Sequence, residues 1–218
     1  MNQIPFSLPE YGPEEARARA EEFHRHLATR RTVRSFRSDP IPDGVIEAAL
    51  LAAGTAPNGA NLQPWHFAVI RNPAIKRRIR EAAEQEERAF YQDRATDSWL
   101  EDLAPLGTDA SKPFLETAPA LIAIFLKNRT TRPDGRDGIT YYPKESVGIA
   151  TGMLITALHH AGIATLTHTP SPMGFLNEIL DRPSTERPFL LLVAGYPSID
   201  CQVPEIRKLP LDRIATFH

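Results

Sequence analysis

Three guanidinium groups and a hydroxyl fall within five residues at Arg30-Arg31-Thr32-Val33-Arg34. A guanidinium is planar, permanently charged and rich in N–H donors, so the cluster suits a phosphate. It would equally serve as the solvated basic end of a helix, where positive charge complements the dipole. A second stretch runs Ala56-Pro57-Asn58-Gly59-Ala60-Asn61-Leu62-Gln63-Pro64-Trp65. Its small residues allow a ligand close to the main chain, and its amides can pair with the polar edge of a heterocycle. It also reads as an ordinary helix-to-strand loop. The third stretch is Thr165-Leu166-Thr167-His168-Thr169-Pro170-Ser171-Pro172-Met173-Gly174. Hydroxyls at a strand exit can bond to a planar ring, although Thr is common in strands for packing reasons alone. The 7 histidines are scattered without ligand spacing, so no metal site is expected.

These stretches need elements to hold them. Glu14 to Thr29 reads as a helix, with Phe23 and Leu27 on one face. Asp43 is a candidate N-cap for a second helix, to about Ala53, with Val45, Ile46, Ala49, Leu50 and Ala53 as its apolar stripe. Trp65 to Ile70 is a predicted strand, and Pro73 to about Gln92 a long charged helix. Asp93 to Thr117 is mixed and polar, with Trp99, Leu100 and Leu103 as anchors. Leu121 to Leu126 is a predicted buried strand, and Asn128 to Gly138 a surface loop rich in Arg, Asp, Gly and Pro. Ser146 to Ala161 is an almost wholly apolar helix, which needs cover on more than one face. A subunit interface would supply it. Ile163 to Thr167 and Phe189 to Val193 complete the strands, and the tail from Gln202 is expected to run over a neighbour's surface. Strands alternating with helices argue for an α+β or α/β layered fold.

Composition narrows the function. With 218 residues, 42% hydrophobic and 24% charged, the chain fits a globular protein with a real core. A net charge of −2 gives no reason to expect nucleic acid or a membrane surface as partner. One cysteine, Cys201, allows no intrachain disulfide, which is compatible with a reducing, cytoplasmic setting. No apolar stretch is long enough to span a bilayer, and Met1 to Tyr11 lacks the pattern of a signal peptide.

Taken together, the three stretches resemble the nitroreductase superfamily, from Arg30 to about Asp212. The likeness implies one domain over residues 1–218 with an α+β fold: a mixed sheet covered by helices, in a homodimer joined by long helices and swapped termini. FMN would lie at the interface. Arg30, Arg31 and Arg34 would hold its phosphate and polar edge, joined by Arg207 or Lys208 from the tail. Thr32 and Asn58 would contact it, and Thr167, His168 and Thr169 would lie along its ring.

The likeness narrows to the iodotyrosine deiodinase (halotyrosine dehalogenase) branch. It rests there on Gly54-Thr55-Ala56-Pro57, Tyr141-Tyr142, Glu145-Ser146-Val147 and Gly195-Tyr196-Pro197-Ser198. It rests also on a lid, residues 93–117 and their approaches, in which that branch uses a Glu, a Tyr four residues later and a distant Lys. Here these are Glu87, Tyr91 and Lys112. Chemistry supports the trio: Glu87 and Tyr91 share a helix face, and an amino-acid zwitterion needs an anion for its ammonium and a cation for its carboxylate. The alternative is a solvated charged helix, since Glu84, Glu86 and Arg88 surround Glu87.

The reaction implied is reductive dehalogenation of a halotyrosine. By the branch's pattern, the Ala60 N–H would bond the substrate phenolate, and Thr169, or else Thr167, would place a hydroxyl near flavin N5 and favour one-electron steps. The electron donor would be NAD(P)H or a separate reductase. Two departures stand out: Asn58 replaces the usual Ser, and Arg207-Lys208-Leu209-Pro210 replaces Lys-Arg-Lys-Pro. Other readings are a general NAD(P)H-dependent nitro or quinone reductase, a flavin-fragmenting enzyme, or a flavin-binding module without catalysis. None of these gives the trio a role.

Overall fold

The structure, a computed structural model, describes residues 3–106, 108–132 and 135–218. Gly107 of the expected lid, Pro133 and Asp134 of the expected surface loop, and Met1 and Asn2 lie outside the described residues. The chain falls into two units divided after Arg30.

The first unit carries helix α1, Pro13–Ala28. Proline at its start costs no hydrogen bond, and Glu14 and Glu15 in its first turn and Arg25 in its last suit the helix dipole. Arg17–Glu21 and Arg19–Glu15 ion pairs at i,i+4 spacing add modest support. Thr29, expected inside the helix, is its C-cap.

The second unit is built on a four-stranded sheet of order β1-β2-β6-β5: β1 Trp65–Ile70, β2 Ala120–Lys127, β5 Ala164–His168 and β6 Glu186–Gly195. All three ladders are antiparallel. Among the described residues, the parallel element of the expected mixed sheet is the single bridge Thr32–Thr165. Strand alternation explains why β2 is apolar at nearly every position. Ala120, Ile122, Ile124 and Leu126 face one core layer with α2 (Val45–Gly54) and α6 (Pro143–His160). Leu121, Ala123 and Phe125 face the other, with α3 (Pro73–Ala89), α5 (Phe114–Thr117) and α7 (Phe175–Ile179).

Asp43 does not cap α2; Gly44 does, at φ 82°, a left-handed conformation that a residue without Cβ adopts at little steric cost. The segment expected as a surface loop pairs instead into a short hairpin, β3 Arg129–Thr131 with β4 Asp137–Ile139. Helix α6 buries Val147, Ala150, Thr151, Leu154 and Leu158 against α2 and the sheet, while Gly148, Ile149 and Gly152 on another face stay exposed. The tail is irregular apart from α8, Leu211–Ile214.

Helix α3 matters most for the site. Asn72 caps it, its Oδ1 accepting from the N–H groups of Ala74 (2.9 Å) and Ile75 (3.2 Å), and Pro73 opens its first turn. The helix ends at Ala89, short of the expected Gln92, because Phe90–Arg94 widens into a π-helical turn. The chain then forms α4 (Asp97–Leu103), a 3-10 turn at Ala104–Leu106, and returns to α3 at Lys112.

Candidate active site

A cavity of about 230 Å3 opens between β5, the end of α3 and the segment that follows it. Seven residues singled out in the sequence line it: Arg34, Glu87, Tyr91, Lys112, Thr167, His168 and Thr169. A single main-chain link brings the first stretch to the third. The Val33 N–H donates to the Thr165 carbonyl (3.2 Å), which sets Arg34 beside the exit of β5. A larger groove of about 730 Å3 lies along α7 and β6, but its charged Arg182 and Glu186 pair with each other at 2.8 Å. The gathered polar groups favour the smaller cavity.

Lys112 is buried, and its ammonium has three partners. Its Nζ lies 3.2 Å from Glu87 Oε2, donates to Thr108 Oγ1 at 3.1 Å, and donates to the Asp109 carbonyl. Three acceptors match the three N–H bonds of an ammonium group, as a buried charge requires. Tyr91 donates its hydroxyl to the Thr108 carbonyl (3.1 Å), and its ring stands 5.8 Å from Lys112 Nζ. Phe90 packs edge-on against both Tyr91 (5.4 Å) and Trp99 (4.8 Å), so the rim is aromatic. Arg94 ties this segment down through the carbonyls of Ser171 (2.7 Å) and Glu86 (2.6 Å).

The β5 exit shows strand alternation directly. Thr167 and Thr169 are exposed to the cavity side, while His168 between them is buried. The His168 side chain is therefore turned away from the two exposed threonines, although the residue still lines the cavity with them. Its ring packs edge-on against Phe114 (5.8 Å), and its Nε2 is buried without a hydrogen-bond partner among the described residues. Burial, joined by the Lys112 ammonium, pushes its pKa down to about 3, so it is neutral at ordinary pH.

The second stretch is held in an unusual backbone. Ala60, Asn61 and Gln63 all have positive φ (51°, 53° and 47°) without being glycine. Such conformations cluster where function over-determines the chain. Asn58 fixes the loop from within: its Oδ1 accepts the Gln63 N–H (2.8 Å) and its Nδ2 donates to the Ala56 carbonyl (3.1 Å). The N–H groups of Asn61 and Leu62 donate to the carbonyls of Asn58 (3.3 Å) and Gly59 (3.2 Å), while that of Ala60 enters none of these bonds. A Cβ on Gly59 would stand 2.6 Å from Tyr141 Cβ, so only glycine lets the loop press against Tyr141. Neither Asn58 nor Ala60 lines the cavity within this chain.

Five further residues stay outside the cavity. Arg31 donates to the Pro204 carbonyl and so ties down the start of the tail. Arg207 and Lys208 lie exposed on that tail. Arg30 ends the first unit, its N–H bonded to the Leu27 carbonyl (3.0 Å). Thr32 serves through its main chain, in the bridge to Thr165.

Glu84 and Arg94 did not stand out in the sequence, where Glu84 reads as solvated charge. The signal for Glu84 was its place on one helical stripe: Lys76, Arg80, Glu84 and Glu87 are four, four and three residues apart. Among the described residues no group of three or more His, Cys, Asp or Glu is placed to hold a metal ion. No helix among them is long and apolar enough to cross a membrane.

The sheet, the Arg34–Thr167–Thr169 wall and the covering segment define the class of protein. Residues 27–196 match the nitroreductase family, and the chain belongs to it. The chain is 50% identical over 205 residues to the iodotyrosine deiodinase of Haliscomenobacter hydrossis, covering 94% of this chain and 92% of that one. It is 43% identical over 215 residues to iodotyrosine deiodinase 1 of Mus musculus, covering 98% and 75%. Among solved structures, oxidised iodotyrosine deiodinase bound to FMN and 3-iodo-L-tyrosine superposes with a TM-score of 0.75 at 29% identity, covering 89% of this chain and all (100%) of that one.

Proposed function

We propose that this protein is an FMN-dependent oxidoreductase that reductively removes halide from halotyrosines, working as a homodimer. The observation that carries the reading is the Glu87–Lys112 pair beside Tyr91, in one cavity with Arg34, Thr167 and Thr169. Opposite charges at a fixed separation fit the ammonium and carboxylate of an amino acid. A nitro or quinone reductase has no use for them. The solved relative, bound to FMN and 3-iodo-L-tyrosine, supports the same reading.

The residues present fit FMN. Two hydroxyls and an arginine form one polar wall, and the buried, neutral imidazole of His168 beside it keeps an Nε2 without a partner among the described residues. Arg31 and Arg34 would hold its phosphate and polar edge, with Arg207 or Lys208; Thr167 and Thr169 would hydrogen-bond to the ring. Bound there, FMN supplies the two electrons which, with one proton, convert a carbon–halogen bond into carbon–hydrogen and free halide. This chain's residues do the rest. Glu87 and Lys112 take the zwitterion, and Tyr91 holds the turn at Thr108 that supports Lys112. The Ala60 N–H bonds the phenolate and favours the ionised phenol. Residues 93–117, with the aromatic rim at Phe90 and Trp99, exclude water as a lid.

The dimer reading rests on uncovered apolar surface. Ile149 between two bare glycines on α6, and Leu209, Leu211, Ile214 and Phe217 on the tail, are all exposed. A second copy would cover them and bring its own Ala60 loop and tail cations to the flavin. The electron donor is NAD(P)H or a separate reductase. The lone Cys201 fits a cytoplasmic setting.

The test is anaerobic. FMN-loaded protein is reduced by dithionite and then mixed with 3-iodotyrosine or with a nitroaromatic. One iodide released per flavin reoxidised, with tyrosine as product, is the expected result. Reoxidation by the nitroaromatic alone would make the protein a general nitro reductase.

A further inference from the structure

We propose that Glu84 is a positioning residue: it fixes the main chain at Lys112, so that the Lys112 ammonium meets the cavity opposite Glu87. The proposal rests on the reading that Glu87 and Lys112 hold a zwitterion, and assigns a role to a residue that touches no ligand.

Glu84 Oε1 accepts the main-chain N–H of Lys112 at 2.7 Å, across 28 residues of sequence. The same oxygen accepts from Arg80 Nε at 2.7 Å, so the carboxylate is gripped between helix and returning chain. Burial alone would raise the pKa of Glu84. The Lys112 N–H and the Arg80 and Arg88 guanidiniums outweigh burial and hold the carboxyl below its ordinary range.

The grip is one rung of a ladder. Further back along α3, Arg80 Nη1 reaches Glu116 Oε1 at 3.4 Å. Behind it, the buried Lys76 ammonium donates to the carbonyls of Glu116 (2.8 Å) and Ala118 (2.7 Å). One stripe of α3 thus binds the returning chain from Lys112 to Ala118, and its last member, Glu87, faces the cavity. Glu84 and Glu87 are three apart on a rigid helix, so the separation between the post that holds the Lys112 backbone and the carboxylate that meets its ammonium is constant. The bonds that hold the turn at Thr108 and Asp109 come from Lys112, from Tyr91 and from the neighbouring Ser111 N–H, which donates to Asp109 Oδ1 at 2.9 Å. The cationic half of the site is therefore fixed from α3 through Glu84.

The test uses FMN-loaded protein and two variants, Glu84→Ala and Glu84→Gln. Binding of 3-iodotyrosine and of 2-iodophenol is followed by flavin fluorescence. Hydrogen exchange at the Lys112 amide is measured without ligand. The alanine variant should bind 3-iodotyrosine about tenfold more weakly, the scale of one lost hydrogen bond to a charged group. The glutamine variant keeps an acceptor oxygen for the Lys112 N–H and should recover most of that loss. Binding of 2-iodophenol should stay within about twofold, because it has no group for Lys112 to meet. The Lys112 amide should exchange faster in the alanine variant, with Ile79 in mid-helix unchanged. Equal loss for both ligands, or unchanged exchange at Lys112, would overturn the assignment. Lys112→Met run in parallel separates the two layers. If it leaves 3-iodotyrosine binding intact, the zwitterion reading falls, and exchange at Lys112 alone then decides the role of Glu84.

Discussion

Lys112 Nζ and Glu87 Oε2 lie 3.2 Å apart with their side chains 4% and 14% exposed, so the cationic and anionic halves of the proposed clamp neutralise each other directly at the cavity wall. A zwitterion can enter this arrangement by exchange: its ammonium takes over Glu87 while its carboxylate takes over Lys112. Charge stays balanced throughout, which matters because breaking a buried pair from one side leaves an uncompensated charge.

Ligands with one charge should therefore fare badly. 3-Iodotyramine carries only the ammonium, and 3-(4-hydroxy-3-iodophenyl)propionate only the carboxylate. Each leaves one member of the pair without its opposite. Each should bind at least about tenfold more weakly than 3-iodotyrosine, the value of one charge-assisted hydrogen bond. Fluorescence titration of the FMN-loaded protein decides this, and parity between 3-iodotyramine and 3-iodotyrosine would count against it.

Removing an arginine should loosen the flavin more than the fold. Arg34→Ala should lower FMN affinity about ten- to a hundredfold, as expected for a lost charge-assisted bond of roughly 1.5–3 kcal/mol. Arg31→Ala should do the same and should also free the tail, because Arg31 donates to the Pro204 carbonyl. Equilibrium dialysis of FMN reports the first effect and limited proteolysis near residue 204 the second. Unchanged flavin affinity in both variants would move the phosphate site elsewhere.

Thr169→Ala should separate two activities. Nitroaromatic reduction should remain within a few-fold of the parent while deiodination falls well beyond that. Thr167 sits on the same exposed side of the strand exit, so Thr167→Ala belongs in the comparison. Full deiodination in both single variants would show that neither hydroxyl governs the dehalogenation step.

His168 should make stability depend on acid. Its pKa is about 3 in the folded protein against an ordinary 6.5, so below 6.5 the unfolded chain takes up a proton that the folded protein refuses. The depressed value means that its contribution to stability is complete above about pH 6.5 and is lost as the pH falls toward 3. The slope is at most about 1.4 kcal/mol per pH unit. In His168→Asn that slope should vanish, while other acid-sensitive groups keep theirs. Urea unfolding at pH 7, 6, 5 and 4 measures the difference. Parallel curves for parent and variant would show that His168 is not buried as described.

Much of this was legible in the sequence, for local reasons. The β2 run is apolar at nearly every position because both faces of the sheet are covered, and a run of that kind announces itself. The chemistry of the arginine cluster, the Ala56–Trp65 loop and the threonine strand lies in residue type, which needs no structure to read. The rest was long-range. That Glu84 meets the Lys112 backbone depends on how 28 residues return to α3, and no local pattern encodes that closure. The Gly44 cap displaced the expected Asp43 because a left-handed residue turns the chain there. The burial of the His168 side chain between two exposed threonines follows from strand period, although all three residues line the one cavity.

The clamp itself is tested most directly by Glu87→Gln, which removes the charge and nearly keeps the shape. Affinities for 3-iodotyrosine and 2-iodophenol are measured by flavin fluorescence quenching in the parent, Glu87→Gln, Lys112→Met and the double variant. Each single change should weaken 3-iodotyrosine by roughly 1.5–3 kcal/mol and leave 2-iodophenol alone. The double variant should lose less than the sum, because the two side chains share one ion pair and one ligand. If 3-iodotyrosine binds all four proteins equally well, Glu87 and Lys112 hold only each other, and the protein is a flavin reductase without a zwitterion site.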